Sequence, residues 1–374
     1  MRLPSSSALS LSRGIANEGC PGLINPPYCL KIAATEGAGR GVALKLKLGR
    51  VWGRISIVQG HILILGRSGS GKSNTARVIA QEASKWIPVL LLDWSGEHAI
   101  LSGFRRLAPG DGFSLNIFER AGMEDSDHVD VLVDLFDATF HLTPPQLYML
   151  RTAVKNALAR GAEGVSDLLE AVEELPVRSY YDHETKMALV RRLTPLAEGR
   201  AGRALKGGGW DPAELFRGNF VVDLSVFRSI YAKRLYTLLV LKLLYDHALL
   251  RGMRDQIAHM TLVEEAWNVV PYRRLHDEPS VGERLFAELR KYGECLVAVA
   301  QNPSEIAWSL SNNAEILILH SMLAREVEVL GLTELREVVS RLKRGEAIVV
   351  ERGKVRKIRV RQYDPPAHVR GRRG

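Results

Sequence analysis

The sequence of 374 residues contains only three cysteines and lacks a long uninterrupted apolar run. Cys20, Cys29 and Cys295 form neither a disulfide framework nor a paired Cys-x-x-Cys metal site, which indicates a reducing compartment, and we expect the cytoplasm. The most apolar stretch, "LYTLLVLKLLYDHALL", is interrupted by Lys242 and Asp246 and is typical of a buried amphipathic helix. The sequence therefore predicts no membrane-spanning segment.

Acidic residues are fewer than basic ones, which restricts the kinds of partner. The chain has 51 Lys and Arg against 42 Asp and Glu, a formal net charge of +9. This balance favours a polyanionic partner, because clustered cations displace the counterions that condense on nucleic acid. The stretch after Val350 is the most basic, and it is explained equally well by a solvated strand face with a basic end or by a contact to nucleic acid. Its cations are Arg352, Lys354, Arg356, Lys357, Arg359, Arg361, Arg370, Arg372 and Arg373.

Six short apolar runs have the composition of buried parallel strands. They are "HILILG", "IPVLLLD", "NFVVDL", "HMTLVEEA", "GECLVAVAQ" and "AEILILH", and segments of helical period separate them. This alternation predicts an α/β fold with a mainly parallel central sheet. The closing "EAIVVERGKVRKIRV" contains two alternating runs joined at Arg352 and Gly353, which predicts a β-hairpin.

The core is predicted in two pieces, residues 59–118 and 216–362, around a helical insertion at residues 119–215. Within the insertion, Thr143 followed by two prolines predicts a helix start, and the glycines of "KGGGWDP" mark the end of the insertion. Residues 1–58 are predicted to be a leader followed by a small β element, because "GVALKLKLGR" alternates apolar and basic residues. Residues 363–374 form a basic tail.

The stretch "GRSGSGKSN" satisfies the phosphate-loop pattern G-x-x-x-x-G-K-[ST]. It follows an apolar strand and precedes a segment of helical period, which is the context that the motif requires. The glycines let backbone N–H groups surround phosphates, while the lysine bridges them and the serine hydroxyl coordinates Mg²⁺. We therefore predict an ATP and Mg²⁺ site, with Ser73 as a metal ligand. Its binding residues are Gly66, Arg67, Ser68, Gly69, Ser70, Gly71, Lys72, Ser73 and Asn74.

Polar side chains end three of the predicted strands. In "MTLVEEAW" we assign Glu264 to Mg²⁺ and Glu265 to polarising the attacking water, although acidic pairs without a function are also common where strands end. Gln301 is predicted to sense the γ-phosphate or water, and Asp93 to contact the nucleotide. A polar residue in such a position is as often only the start of a loop.

Two cations lie at a predicted helix end in "ELRKYG". We expect Arg290 and Lys291 near the nucleotide edge of the sheet, with Arg290 acting on the nucleotide of a neighbouring copy. The alternative is that both residues interact only with the dipole at the helix C-terminus.

The motifs "GHILILGRSGSGKSN", "VLLLDWSGEH", "LVEEAW" and "ELRKYG…AVAQNP" together resemble the HerA/FtsK superfamily of P-loop motors, most closely the HerA-like archaeal and bacterial DNA translocases. The resemblance covers roughly residues 40–362. It implies a RecA-like core with a small N-terminal β-barrel, assembled as a homohexamer that drives double-stranded DNA through its pore with ATP. A NurA-type nuclease is the implied partner, in DNA end processing and repair.

The resemblance also assigns roles to individual residues. Lys72 and Ser73 match the Walker A pair, Glu264 and Glu265 the Walker B pair, Asp93 the acidic residue after the second strand, Gln301 the sensor, and Arg290 the trans-acting arginine.

Three features depart from the HerA pattern. Glu264 replaces the usual aspartate, Gly60 stands where many members carry an arginine before the residue equivalent to His61, and only about 58 residues precede the first core strand. "EEAW" also resembles the ATPases of conjugation and type IV secretion, so an ATPase that powers DNA or protein transport is one alternative. A nucleotide-gated switch that binds nucleic acid without translocating is the other.

Overall fold

The structure is a computed structural model that describes residues 43–49, 53–120, 122–208, 210–274 and 276–365. Cys20, Cys29, the predicted leader and the last arginines of the basic tail lie outside the described residues. Cys295 is buried, as the apolar run around it indicates.

Eleven strands form two sheets within the described ranges. The strands are β1 (Leu44–Lys47), β2 (Arg54–Ile57), β3 (His61–Leu65), β4 (Val89–Asp93), β5 (Arg105–Leu107), β6 (Phe220–Asp223), β7 (His259–Val263), β8 (Glu294–Ala300), β9 (Ala314–Leu319), β10 (Glu346–Glu351) and β11 (Lys354–Arg359). β1 and β2 pair antiparallel, and the other nine form one sheet in the order β11-β10-β9-β3-β8-β7-β4-β6-β5.

The predicted mainly parallel sheet is confirmed, since the seven strands from β9 to β5 in this order are all parallel. All six apolar runs form strands of this sheet. The predicted hairpin is β10 and β11, and its turn has positive φ at Arg352 (48°) and Gly353 (74°), as a tight two-residue hairpin turn requires.

One strand, β5, was missed by the sequence analysis. It has three residues, of which Arg105 and Arg106 are exposed and only Leu107 is buried. So short a strand at the edge of a sheet has no apolar run to announce it.

The described residues also form eleven α-helices. They are α1 (Lys72–Ala83), α2 (Asp125–Phe140), α3 (Pro144–Ala159), α4 (Val165–Glu173), α5 (Tyr180–Ala197), α6 (Gly199–Ala204), α7 (Ile230–Arg251), α8 (Val281–Leu289), α9 (Trp308–Asn313), α10 (Ala324–Val329) and α11 (Arg336–Ser340). α2 to α6 lie between β5 and β6, in the stretch predicted as the helical insertion, and the division into domains stays a prediction. α3 begins as predicted, with Thr143 as N-cap and a capping box to Gln146.

Helices cover both faces of the large sheet, so alternate residues of one strand enter different cores. In β3, Ile62 and Ile64 pack with α1, whereas Leu63 and Leu65 belong to the core shared with α7 and the helices between β5 and β6. Buried residues pointing both ways are expected of a parallel sheet with helices on each side.

α7 is buried on almost every face, and the two charged residues that interrupt its apolar run pair with each other. Nζ of Lys242 lies 2.7 Å from Oδ2 of Asp246, and both side chains are buried. Lys242 also donates a hydrogen bond to the carbonyl oxygen of Glu119. None of the helices in the described part of the chain combines the length and hydropathy needed to cross a membrane.

Candidate functional site

A cleft of about 1090 Å³ opens at the carboxyl edge of the parallel strands. It is lined by Lys72 and Ser73 at the start of α1, by Glu264 and Glu265 after β7, and by Gln301 after β8. The topology brings these residues together because β3, β8 and β7 are adjacent and end at the same edge.

The loop between β3 and α1 has the backbone geometry of a phosphate cradle. Gly66 and Gly71 have φ of 151° and 117°, a region that favours glycine. A Cβ on Gly66 would lie 2.6 Å from Cβ of His320, so a larger residue does not fit there. Because α1 begins at Lys72, its free N–H groups and its dipole favour a bound anion at this loop.

The side chain of Lys72 folds back onto the phosphate loop. Its Nζ donates hydrogen bonds to the carbonyl oxygens of Gly66 (2.5 Å) and Arg67 (3.2 Å). Burial lowers the pKa of Lys72, and the charges of Glu265 and Glu264 oppose that shift. The lysine and the two carboxylates therefore interact electrostatically across the cleft.

His320, which follows β9, packs against the phosphate loop and connects α1 to β10. Its Nδ1 donates to the carbonyl oxygen of Glu346 (2.9 Å), and its Nε2 accepts from Oγ1 of Thr75 (2.8 Å). Burial above all lowers the pKa of His320 to about 4. The ring is therefore neutral at pH 7 and joins α1 to the residue that starts β10.

The two carboxylates after β7 have different surroundings. Glu264 is buried, with Oε1 2.5 Å from Nε2 of His98 and Oε2 3.2 Å from Oγ of Ser95. Glu265 is half-buried with a left-handed φ of 48°, and its Oε2 accepts from Nε1 of Trp267 at 2.7 Å. Glu265 lines the cleft in this uncommon backbone conformation, and the bond from Trp267 holds its carboxylate.

Asp93 occupies a place that differs from the prediction. It was expected to contact the nucleotide, but its carboxylate is fully buried and does not line the cleft. Instead it accepts the backbone N–H groups of residues 95–98 at 2.8 to 3.2 Å. Burial raises the pKa of Asp93, against the charge of His98. The residue thus shapes the loop that presents Ser95 and His98 to Glu264.

Gln301 lies where the sequence predicts it, at the end of β8 and in the wall of the cleft. Its backbone carbonyl accepts from the N–H of Gly66 at 3.3 Å, so the strand end is tied to the phosphate loop. The sensor role of its side chain stays a prediction.

The predicted position of Arg290 and Lys291 is wrong for their own chain. Both were expected near the nucleotide edge, but they are exposed and precede β8, at its amino end. Burial lowers the pKa of His61, the first residue of β3, to about 4, and the charge of Arg290, which lies near His61, adds to this effect. Arg290 is therefore at the amino end of β3 as well. Because the cleft lies at the carboxyl ends of the same strands, Arg290 faces away from the cleft of its own chain.

The donor set of the cleft suits Mg²⁺ and a triphosphate. Hard cations prefer oxygen ligands, and the hydroxyl of Ser73 and the carboxylates of Glu264 and Glu265 all line the cleft. Both oxygens of Glu264 already have partners on the β4 loop, so it is suited to hold metal-bound water or to orient its neighbour.

Several residues in the cleft or directly behind its wall were missed by the sequence analysis. His98 and Ser95 lie in the quoted "DWSGEH", but only the contact with Glu264 gives them a role. Arg77 lines the cleft and pairs with Glu97 at 3.3 Å, and Arg361 enters from beyond the C-terminal hairpin. A lone cation on a helix or after a strand carries no sequence signal of this kind.

Comparison with known proteins finds a family model and solved structures that are similar to this chain. A family model described as "Helicase HerA, central domain" matches residues 54–210. The structure of VirB4 from Thermoanaerobacter pseudethanolicus superposes with a TM-score of 0.65 at 19% identity, covering 87% of this chain and 98% of that one. The matched segment is therefore similar to the central domain of the helicase HerA. No curated protein shows significant sequence similarity to it.

Structures of a plasmid coupling protein share this fold over most of their length. The bacterial conjugative coupling protein TrwB has a TM-score of 0.63 at 13% identity, with 85% of this chain and 89% of that chain covered. A TrwB complex with ADP and Mg²⁺ gives a TM-score of 0.61 at 11% identity, with 82% and 86% covered. These likenesses confirm the predicted RecA-like α/β fold.

Proposed function

We propose that this protein is an ATP-driven translocase of double-stranded DNA, of HerA type, that works as a homohexamer beside a NurA-type nuclease in DNA end processing. The match to the HerA central domain, the phosphate cradle and the net charge of +9 support the proposal. ATP and Mg²⁺ are the proposed cofactors.

The observation that carries the proposal is the position of Arg290 relative to the cleft. Lys72 and Glu265 lie at the carboxyl edge of the sheet, whereas Arg290 is exposed at the amino end of β8. In the proposed assembly, one copy supplies Lys72 and Glu265 to the hydrolytic site, and a head-to-tail contact brings Arg290 of its neighbour to the same site. Such contacts close into a ring when the rotation between copies allows it.

The residues divide the chemistry of hydrolysis among them. Ser73 would hold Mg²⁺, which would neutralise charge on the phosphate oxygens of ATP. Lys72 would leave the carbonyl of Gly66 to bind the β- and γ-phosphates, while Glu265 orients a water and accepts its proton. The water oxygen then bonds to the γ-phosphorus as the bond from that phosphorus to the β–γ bridging oxygen breaks, which releases ADP and inorganic phosphate. Arg290 of the neighbouring copy stabilises the charge that develops on the transferred group.

Steady-state ATP hydrolysis, measured with and without blunt duplex DNA, tests the proposal. We expect Mg²⁺-dependent turnover that duplex DNA stimulates and that heparin, a polyanion without base pairs, does not. Lys72→Ala should abolish turnover, and Lys155→Ala, which removes an exposed lysine on α3, serves as the matched control. Turnover that is indifferent to DNA at low and at physiological salt would rule out the motor.

An ATPase that powers DNA or protein transport is a second candidate. It is favoured by Glu264 in place of aspartate, as in "EEAW", and by the extent of the likeness to VirB4 and TrwB. This candidate predicts turnover that does not respond to duplex DNA but rises when the protein is bound to anionic lipid vesicles.

A further inference from the structure

The C-terminal segment, defined here as residues 360–363, crosses the edge of the cleft after β11 ends. Asn74 holds it with both ends of its side-chain amide. Nδ2 of Asn74 donates to the carbonyl oxygen of Arg361 at 2.9 Å, and the N–H of Tyr363 donates to Oδ1 of Asn74 at 2.8 Å. The residue next to Ser73 therefore fixes the backbone on both sides of Gln362.

Further contacts give the segment one position. The N–H of Arg361 donates to the carbonyl oxygen of Leu48 (2.7 Å), and its guanidinium donates to Oε1 of Glu82 (2.9 Å). The hydroxyl of Tyr363, a buried residue, accepts from the N–H of Ser102 at 2.9 Å. The segment is thus attached to the residue that follows β1, to α1 and to the loop after β4.

The sheet order decides which end of a nucleotide the segment faces. Glu265 and Gln301 follow β7 and β8, which lie on one side of β3, whereas β10 and β11 lie on the other side. Hydrolysis requires the γ-phosphate beside Glu265, so the nucleoside end of the triphosphate projects toward β10 and β11. The turn before β10 touches the cradle there, since the N–H of Gly345 donates to the carbonyl oxygen of Ser70 at 3.0 Å.

The wall on this side has the chemistry to hold a base and a ribose. Arg344, Arg359, Arg361 and Gln362 all line the cleft. A guanidinium stacks on the face of a base and donates to ribose or phosphate oxygens, and a glutamine amide pairs with the edge of a base. The ion pair with Glu82 leaves the plane of Arg361 fixed, which lowers the entropic cost of binding.

We propose that the C-terminal segment is the nucleoside-binding wall of the cleft, in which Arg361 and Gln362 contact the base and ribose of a nucleoside triphosphate. Asn74 is a positioning residue that acts through the backbone of the segment. The inference rests on the proposed function, because it requires a nucleoside triphosphate in the cleft. It also gives Arg361 a role other than a solvated strand face or a nucleic-acid contact.

Calorimetric titration with ATP and with inorganic tripolyphosphate, both with Mg²⁺, separates the two ends of the site. Asn74→Ala, Arg361→Ala and Gln362→Ala should each weaken ATP binding, about tenfold for Asn74→Ala, and change the Kd of tripolyphosphate by less than about twofold. Lys72→Ala should weaken both ligands. Arg341→Ala, which removes an exposed arginine outside the cleft, is the matched control.

Unchanged ATP affinity in the three variants would overturn the inference. So would an equal loss for ATP and tripolyphosphate, because the segment would then act only through the phosphate cradle. Equal affinity of the wild-type protein for ATP and for tripolyphosphate would also contradict the inference. A wild-type protein that binds neither ligand would instead refute the proposed function itself.

Discussion

Nε2 of His98 lies 2.5 Å from Oε1 of Glu264, so the carboxylate that ends β7 is held by the loop that follows β4. The same loop is shaped by the buried carboxylate of Asp93. The acidic end of the cleft is therefore assembled from two adjacent strands, and the orientation of Glu264 depends on a residue outside the phosphate loop.

Replacing His98 with alanine should slow ATP hydrolysis more than it weakens nucleotide binding. A hydrogen bond to a charged group contributes about 1.5–3 kcal/mol, so we expect a fall in kcat of about tenfold or more. His98→Gln keeps a donor and should retain more activity. Turnover and ATP affinity are measured together, with His183→Ala, at an exposed histidine of α5, as the control. A wild-type kcat for His98→Ala would show that Glu264 needs no such support.

Acid should destabilise the protein partly through His320. Its pKa is about 4 in the folded state against 6.5 ordinarily, so the unfolded chain binds more protons between these values. The stabilisation is complete above pH 6.5 and is lost as the pH falls toward 4. In His320→Asn the decrease in unfolding free energy from pH 7 to 5 should be smaller by about 2 kcal/mol.

Urea titrations at both pH values measure the contribution of His320. His141→Asn is the matched control, because His141 is exposed and has a left-handed φ of 53° that asparagine tolerates. If the two variants showed the same pH dependence, the neutral state of His320 would contribute nothing.

Removing only one partner of the buried pair Lys242–Asp246 in α7 should lower the unfolding free energy more than replacing both partners. Lys242→Met leaves Asp246 buried without its cation, and we expect a loss of about 3–5 kcal/mol in unfolding free energy. The double variant Lys242→Met/Asp246→Leu should recover most of this loss, because two apolar side chains need no partner. Arg341→Met at the exposed pair with Glu337 should change stability by less than about 1 kcal/mol. A double variant as unstable as the single one would contradict this account.

The sequence predicts the sheet well because each buried strand is an uninterrupted apolar run. "HILILG" and "GECLVAVAQ" are buried on both faces in β3 and β8, so hydropathy alone locates them. β5 escapes because two of its three residues are exposed arginines. The phosphate loop is recognised from its glycines, since Gly66 and Gly71 adopt the positive φ that the pattern implies.

The remainder of the site depends on contacts between distant parts of the chain. Asn74 and Arg361 are 287 positions apart, and no local pattern indicates that their amide and carbonyl groups meet. The same holds for His98 and Glu264, which are 166 positions apart. Arg290 could be placed only once the direction of β8 in the sheet was known, and a sequence motif does not give that direction.

The most direct test of the account is ATP hydrolysis by mixtures of two inactive chains. Glu265→Gln leaves Arg290 intact, and Arg290→Ala leaves Glu265 intact, so a mixed assembly contains some interfaces with both residues. We expect each variant alone to be inactive and the mixture to recover up to about a quarter of the wild-type rate, the share of competent interfaces in randomly mixed rings. Full activity of Arg290→Ala alone, or no recovery on mixing, would contradict a site shared between neighbouring copies.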